Sequence, residues 1–355
     1  MSEKPIHLVL GSGGARGLTH IGVVRVLKEH GYRIQSITGC SMGALVGALY
    51  VSGHLDEYEE WVSQLTRWDV LRFLDISLLG RAGMVKGDRL VERLSEWLGG
   101  VDMESLPIPL TVVAADIIAR KEVWISRGDL MNAVRASIAV PGVFSPLVTH
   151  GRVLVDGGIL NPLPIPPSRM DNSAIIVAVS LSGREVSHPF GDPEGHAAAV
   201  AASKAVSVSV EQRSAQELGG GEASDQVNDS DLPSQVDEQH QPIDSFLDSL
   251  TRFFGRDRNR LEEADTSRSL DAKSIAKTIS ADESSRPALT DVMLGMINTM
   301  QDTIARHQLA SNPPDRLIDI PCNICQSHEF HKAKELIPAG AYWARRALLD
   351  QEESP

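Results

Sequence analysis

The chain has 355 residues, 42% hydrophobic and 23% charged, and three cysteines, Cys40, Cys322 and Cys325. That length supports a buried core without covalent staples, and so few cysteines argue against a disulfide framework. The net charge is −13, and 15 acidic against 7 basic residues fall between Gly219 and Ser285, so no basic footprint for nucleic acid exists.

The opening Met-Ser-Glu-Lys-Pro lacks a basic region followed by an apolar stretch and a small-residue cleavage site, so no signal peptide is expected. No apolar run approaches the roughly 18 residues that a membrane span needs. A cytoplasmic protein is the expectation, with peripheral contact on the inner membrane face as the membrane alternative.

Ile6–Leu10 reads as a strand that ends in a glycine loop, Gly11-Ser12-Gly13-Gly14-Ala15-Arg16-Gly17. Such loops aim backbone N–H groups at an anion. A dinucleotide site would need glycine where Arg16 stands and an acid at the end of the second strand, and Walker A would need Gly-Lys-Ser/Thr. The remaining readings are an oxyanion hole, with the N–H groups of Gly13 and Gly14 as donors and Arg16 holding the loop, or a tight turn without chemistry.

Leu18–His30 reads as a helix closed by Gly31, Ile34–Thr38 as a strand and Met42–Val51 as a helix of small residues. Between them Gly39-Cys40-Ser41-Met42-Gly43 matches G-x-S-x-G. A serine on a sharp strand-to-helix turn is held exposed above the sheet, with the helix N-terminus close to its hydroxyl. The bland alternative is a close-packed turn with an idle serine. Leu71–Leu79 is apolar enough to line an acyl pocket, form a lid or pack in the core.

Leu110–Ala114 and Ile175–Leu181 are continuous apolar runs, as buried parallel strands require, and βαβ alternation predicts an α/β fold with a covered parallel sheet. A Ser-His-Asp hydrolase needs a late histidine. His150, His188 and His328 are available, but none sits in a recognisable strand-end loop. Asp156-Gly157-Gly158 does, after Val153-Leu154-Val155. Its carboxylate is placed to act as general base, or the tripeptide is an Asp-Gly hairpin turn.

From Gly183 the texture changes. Residues 183–287 read as an acidic, largely disordered insertion. Within it Ile243, Phe246, Leu247, Leu250, Phe253 and Phe254 recur on one helical face, followed by Arg252, Arg256, Arg258 and Arg260. That pattern suits an interfacial membrane helix, a protein-docking helix through residues 243–260, or one that folds back. Leu289, Val292, Met293, Met296 and Met300 resume helical spacing, Arg316–Ile320 reads as a last strand, and Phe330–Leu349 as a helix interrupted near Pro338–Gly340. Cys322, Cys325, His328 and His331 invite a zinc reading, but the pairs are spaced far more tightly than in ordinary zinc sites, and no metal is expected.

Gly11–Gly17, Gly39–Gly43 and Asp156–Gly158, in that order, resemble the patatin-like phospholipases, most closely the small bacterial members that begin L-G-S-G-G-A-R-G. Thr19-His20-Ile21-Gly22-Val23, Arg135-Ala136-Ser137 with Pro141-Gly142-Val143-Phe144, and Phe330-His331-Lys332-Ala333 look similar too. The resemblance implies a three-layer α/β/α fold with a mainly parallel sheet. It divides the chain into a catalytic core over 1–182, the insertion, and C-terminal elements over 288–350 that complete the core. It also implies hydrolysis of acyl esters of phospholipids or lysophospholipids without a cofactor, with lipid as the partner. Ser41 would be nucleophile and Asp156 base. Gly13, Gly14 and Met42 would supply oxyanion donors, Arg16 would support them, and Gly11, Gly17, Gly39, Gly43, Gly157 and Gly158 would shape the turns. Ser12 departs from the family's usual glycine. A general carboxylesterase and a catalytically silent lipid-binding scaffold are the other functions considered.

Overall fold

The computed structural model describes residues 4–74, 88–141, 143–168, 174–191 and 289–352. In chain order its strands are β1 (Lys4–Leu10), β2 (Tyr32–Cys40), β3 (Leu110–Asp116), β4 (Lys121–Ile125), β5 (Leu147–Thr149), β6 (Arg152–Asp156), β7 (Ile175–Gly183) and β8 (Arg316–Pro321). Its helices are α1 (Thr19–Glu29), α2 (Met42–Ser52), α3 (Leu55–Ser63), α4 (Arg67–Leu74), α5 (Asp88–Leu98), α6 (Leu130–Ser137), α7 (Ile165–Ser168), α8 (Leu289–Ser311) and α9 (Ala333–Glu352).

The eight strands among the described residues form one sheet, with the path β5-β6-β3-β2-β1-β7-β8 and β4 paired to β3. The pairs β1–β2, β1–β7, β2–β3 and β7–β8 are parallel, while β3–β4, β3–β6 and β5–β6 are antiparallel. Alternation along β1 shows why both faces are covered. Leu8 and Leu10 join the larger core with α1, α2 and α9, while Val9 turns to the opposite face and packs with Leu163, Ile165, Ile176 and Ala305. Burial on both faces is the reason β1, β3 and β7 carry near-continuous apolar runs. The result is a mainly parallel sheet between two layers of helices.

One expectation changes. The C-terminal helix is not interrupted: α9 runs through Pro338. The bond that Pro338 cannot donate is forfeited, but the helix is held by its crossing with α1. There a Cβ on Gly22 would fall 2.0 Å from the Ile337 carbonyl oxygen, and one on Gly340 would fall 2.0 Å from that of Thr19. Such close backbone approach is open only to glycine. In α8 the apolar spacing is real, but Val292, Met296 and Met300 face solvent at 43%, 61% and 51% exposure. The polar Gln301 is buried instead.

Among the described residues no helix is long and apolar enough to cross a membrane. The amphipathic stretch Ile243–Phe254, its arginines and the rest of 192–288 lie outside the described residues, as does Asp75–Leu79 of the apolar Leu71–Leu79 segment.

Candidate active site

β4 pairs with β3 from Val112 to Asp116, so it takes one whole edge of that strand. β2 and β6 must therefore share the other edge. β2 ends with Cys40 opposite Val113, and β6 ends with Asp156 opposite Ala114. The two strands meet end to end at neighbouring residues of β3. Ser41 follows Cys40 directly, and its Oγ donates a hydrogen bond to Asp156 Oδ2 at 2.5 Å.

Ser41 is 4% exposed and sits at φ 54°, ψ −121°, between β2 and α2. A non-glycine residue in such a conformation costs on the order of 1–3 kcal/mol and persists only where its surroundings hold it. Ser137, at the end of α6, does the holding. Its Oγ accepts the Ser41 N–H at 2.8 Å and donates to the Val113 carbonyl at 2.6 Å. The hydroxyl is fully buried and used both as acceptor and as donor. In the sequence Ser137 stands only as the last residue of the family-like stretch Arg135-Ala136-Ser137, with no role attached to it. Only the register of β2 on β3 brings it under the turn.

Asp156 is 1% exposed. Burial pushes its carboxyl up to about 6, while the hydrogen bonds from Ser41 and from the Gly158 N–H pull the other way. The Gly158 N–H reaches Oδ1 at 2.7 Å. Asp156 caps a 3-10 turn, Gly157–Ile159, so Asp-Gly-Gly is not a hairpin. A Cβ on Gly157 would lie 2.3 Å from the Val113 carbonyl oxygen, which leaves room only for glycine where β6 leaves β3.

The glycine loop packs directly against this turn. Cβ atoms built on Gly17 and Gly43 would strike Met42 Cβ and the Leu10 carbonyl oxygen, at 2.4 and 2.1 Å. Gly39 abuts the Gly43 carbonyl in the same way, and Gly11 donates its N–H to Val179 at 3.1 Å. Arg16 is buried, and its guanidinium is held mainly by backbone: Nε donates to the Gly13 carbonyl at 3.2 Å and Nη1 to that of Leu181 at 3.1 Å, while Nη2 donates to Asn298 Oδ1 at 3.5 Å. In a trans peptide C=O and N–H point oppositely. Fixing the Gly13 carbonyl on Arg16 therefore turns the Gly14 N–H the other way. Neither the Gly13 nor the Gly14 N–H has a partner among the described residues, whereas their neighbours Ser12 and Ala15 donate to Pro162 and Ser327. Met42 opens α2, so its N–H belongs to the first turn, which has no intrahelical acceptor.

His20, which is not among the expected site residues, supports the same loop. Burial lowers its pKa to about 4, only partly offset by its bond to Gly11, so the ring is neutral at pH 7. Its Nε2 bonds the Gly11 carbonyl at 2.9 Å and must be the protonated nitrogen. Ser12 Oγ donates to Gln301 Oε1 of α8 at 3.3 Å. His150, His188 and His328 are exposed, and none bonds Ser41 or Asp156. Among the described residues, Cys322, Cys325, His328 and His331 do not gather into a group able to hold a metal ion.

A family profile described as patatin-like phospholipase matches residues 8–168. An uncharacterised NTE family protein of Mycobacterium tuberculosis is 38% identical over 99% of this chain and 95% of its own length. The neuropathy target esterase of Drosophila melanogaster is 33% identical over 52% of this chain and 13% of that protein. Among solved structures, VipD from Legionella pneumophila gives a TM-score of 0.35 at 17% identity, over 59% of this chain and 55% of the other.

Proposed function

The chain belongs to the patatin-like phospholipase family, and from that premise we propose that it is a serine acyl hydrolase of fatty-acyl esters, phospholipids and lysophospholipids included. Ser41 is the nucleophile and Asp156 the base. Oγ attacks the ester carbonyl while its proton passes to Asp156. The Gly13, Gly14 and Met42 N–H groups receive the developing oxyanion, and Arg16 keeps the loop turned toward it. The proton then goes to the leaving alkoxide as the acyl-serine forms. Water, deprotonated by the same carboxylate, attacks the acyl-serine and releases the fatty acid.

One observation carries this reading: the 2.5 Å hydrogen bond between two groups that are both buried. A free carboxylate is too weak a base at neutral pH, and the upward push on Asp156 to about 6 moves it toward the operating range.

The test is hydrolysis of p-nitrophenyl esters of increasing chain length, then of phospholipid and lysophospholipid micelles. Rising kcat/KM toward long chains, abolished by Ser41→Ala, is the expected result. A short-chain optimum would make the protein a general carboxylesterase. Activity unchanged by Ser41→Ala would leave only a lipid-binding scaffold.

A further inference from the structure

β3 does not stop where β2 does. It continues to Asp116 and turns through Ile117–Arg120 into β4, while His150–Gly151 turns β5 into β6 beside it. The Ile117 N–H donates to the Val153 carbonyl at 3.1 Å, so the two hairpin tips are neighbours. Both project past the end of β2 that carries Ser41. At about 3.3 Å per residue, Ile117 stands roughly 10 Å beyond Ala114, the partner of Asp156.

These tips combine protruding apolar side chains with positive charge. Ile118 is 67% exposed, Val148 62% and Ile117 38%. Arg120, Lys121 and Arg152 are exposed around them, on a chain whose net charge is −13. Neither Arg120 nor Lys121 has an ion-pair partner among the described residues. Asp116, at the base of the turn, is buried and accepts the Ile118 and Ala119 N–H groups through one oxygen, with Arg152 Nε 4.0 Å from the other.

The backbone adds a second observation. Three described non-glycine residues have positive φ: Ser41, Arg120 at 53° and His150 at 47°. Glycine fits such turn positions without strain. A long cationic side chain kept where glycine would be relaxed points to a use for that side chain.

We propose that the paired tips β3–β4 and β5–β6 dock on an anionic lipid surface. Ile117, Ile118 and Val148 enter the headgroup boundary, and Arg120, Lys121 and Arg152 meet lipid phosphates. The positive tips are drawn to that surface, and the Ser41 end of the sheet follows them. A second copy of this chain is disfavoured as the occupant, because two like-charged tips would repel. Binding stands on its own; only its purpose, holding Ser41 over lipid, rests on the acyl-hydrolase reading.

Flotation of the full-length protein with vesicles tests this, comparing phosphatidylcholine alone with phosphatidylcholine plus phosphatidylglycerol at low and high salt. The protein is expected to float with the anionic vesicles and to be released by salt. Arg120→Gly should weaken binding about fivefold while leaving the melting temperature equal or higher, since it relaxes the turn. The Ile118→Asp, Val148→Asp double variant should bind less still. Both should cleave a water-soluble ester like the parent and anionic vesicles more slowly. Equal flotation of parent and variants overturns the proposal, as does binding indifferent to vesicle charge. Dimers dissolved by the tip substitutions would assign the surface to self-association and overturn it as well. A parent that floats but cleaves no ester removes the hydrolase reading and leaves the docking surface. One that cleaves soluble esters but never floats does the reverse.

Discussion

The sheet has a parallel half, β1, β2, β7 and β8, and an antiparallel half, β4, β5 and β6, joined at β3. Each half supplies one member of the Ser41–Asp156 pair, by different means. The parallel half presents Ser41 through a local device, a turn strained at φ 54° and held by glycines on either side. The antiparallel half presents Asp156 in relaxed backbone, at φ −49° and ψ 127°, and relies on the register of β6 against β3. Ser41 is thus placed by a pentapeptide, while Asp156 depends on two strand pairings, β2 with β3 and β3 with β6.

The largest expected effects come from removing either member. Ser41→Ala and Asp156→Asn should each lower ester hydrolysis by about 10⁴-fold or more, with circular dichroism and cooperative melting retained. If Asp156→Asn stayed within tenfold of the parent, the antiparallel half would supply no base.

Next comes the junction itself. Gly157→Ala puts a methyl 2.3 Å from the Val113 carbonyl oxygen, in a place where neither strand can yield without opening the β2–β6 meeting point. Destabilisation of about 3 kcal/mol or more is expected, together with loss of activity. Gly295→Ala, with nothing within 4 Å of the added atom, serves as the control in thermal or urea melts and should not destabilise.

The same division explains what could be read in the sequence. β1, β3 and β7 are near-continuous buried apolar runs, and the predicted cores of these three and of β2 and β8 fall inside the observed strands. β4 and β5 were not legible, because Lys121–Ile125 and Leu147–Thr149 are short and half-exposed and have no strong period. The glycine loop and Gly39–Gly43 announce themselves by composition. Asp156 announces itself only weakly, since Asp-Gly suits many turns. Ser137 and His20 stand only within family-like stretches, and no role could be read for them, because their partners, the Ser41 N–H and the Gly11 carbonyl, are backbone groups whose positions only the fold reveals. In α8 periodicity likewise reports a helical face and not the direction in which it points, which is outward for Val292, Met296 and Met300.

Ser137→Ala probes the support that links the halves. It strands the Ser41 N–H in a buried turn, a cost of about 1–2 kcal/mol. If that cost falls on the geometry of the turn, kcat drops about five- to thirtyfold with KM unchanged. A purely structural role would lower the melting temperature and leave kcat alone.

The smallest effect is the most discriminating, because rate and stability should move in opposite directions. Asp156 must be unprotonated to accept the Ser41 proton, so kcat/KM should fall as pH drops through about 6, to roughly a tenth at pH 5. In the unfolded chain the same carboxyl returns toward 3.8. Between about pH 4 and 6 the folded state therefore binds more protons, and this group's contribution to stability rises as pH falls. Asp156→Asn should erase that slope and gain stability relative to the parent near pH 7. Acid damage to the fold would lower rate and stability together. A rate that falls while the parent-minus-variant stability difference grows in the parent's favour is the mark of a buried base being protonated in place, and a difference flat across this window would show that the carboxyl is not perturbed by burial at all.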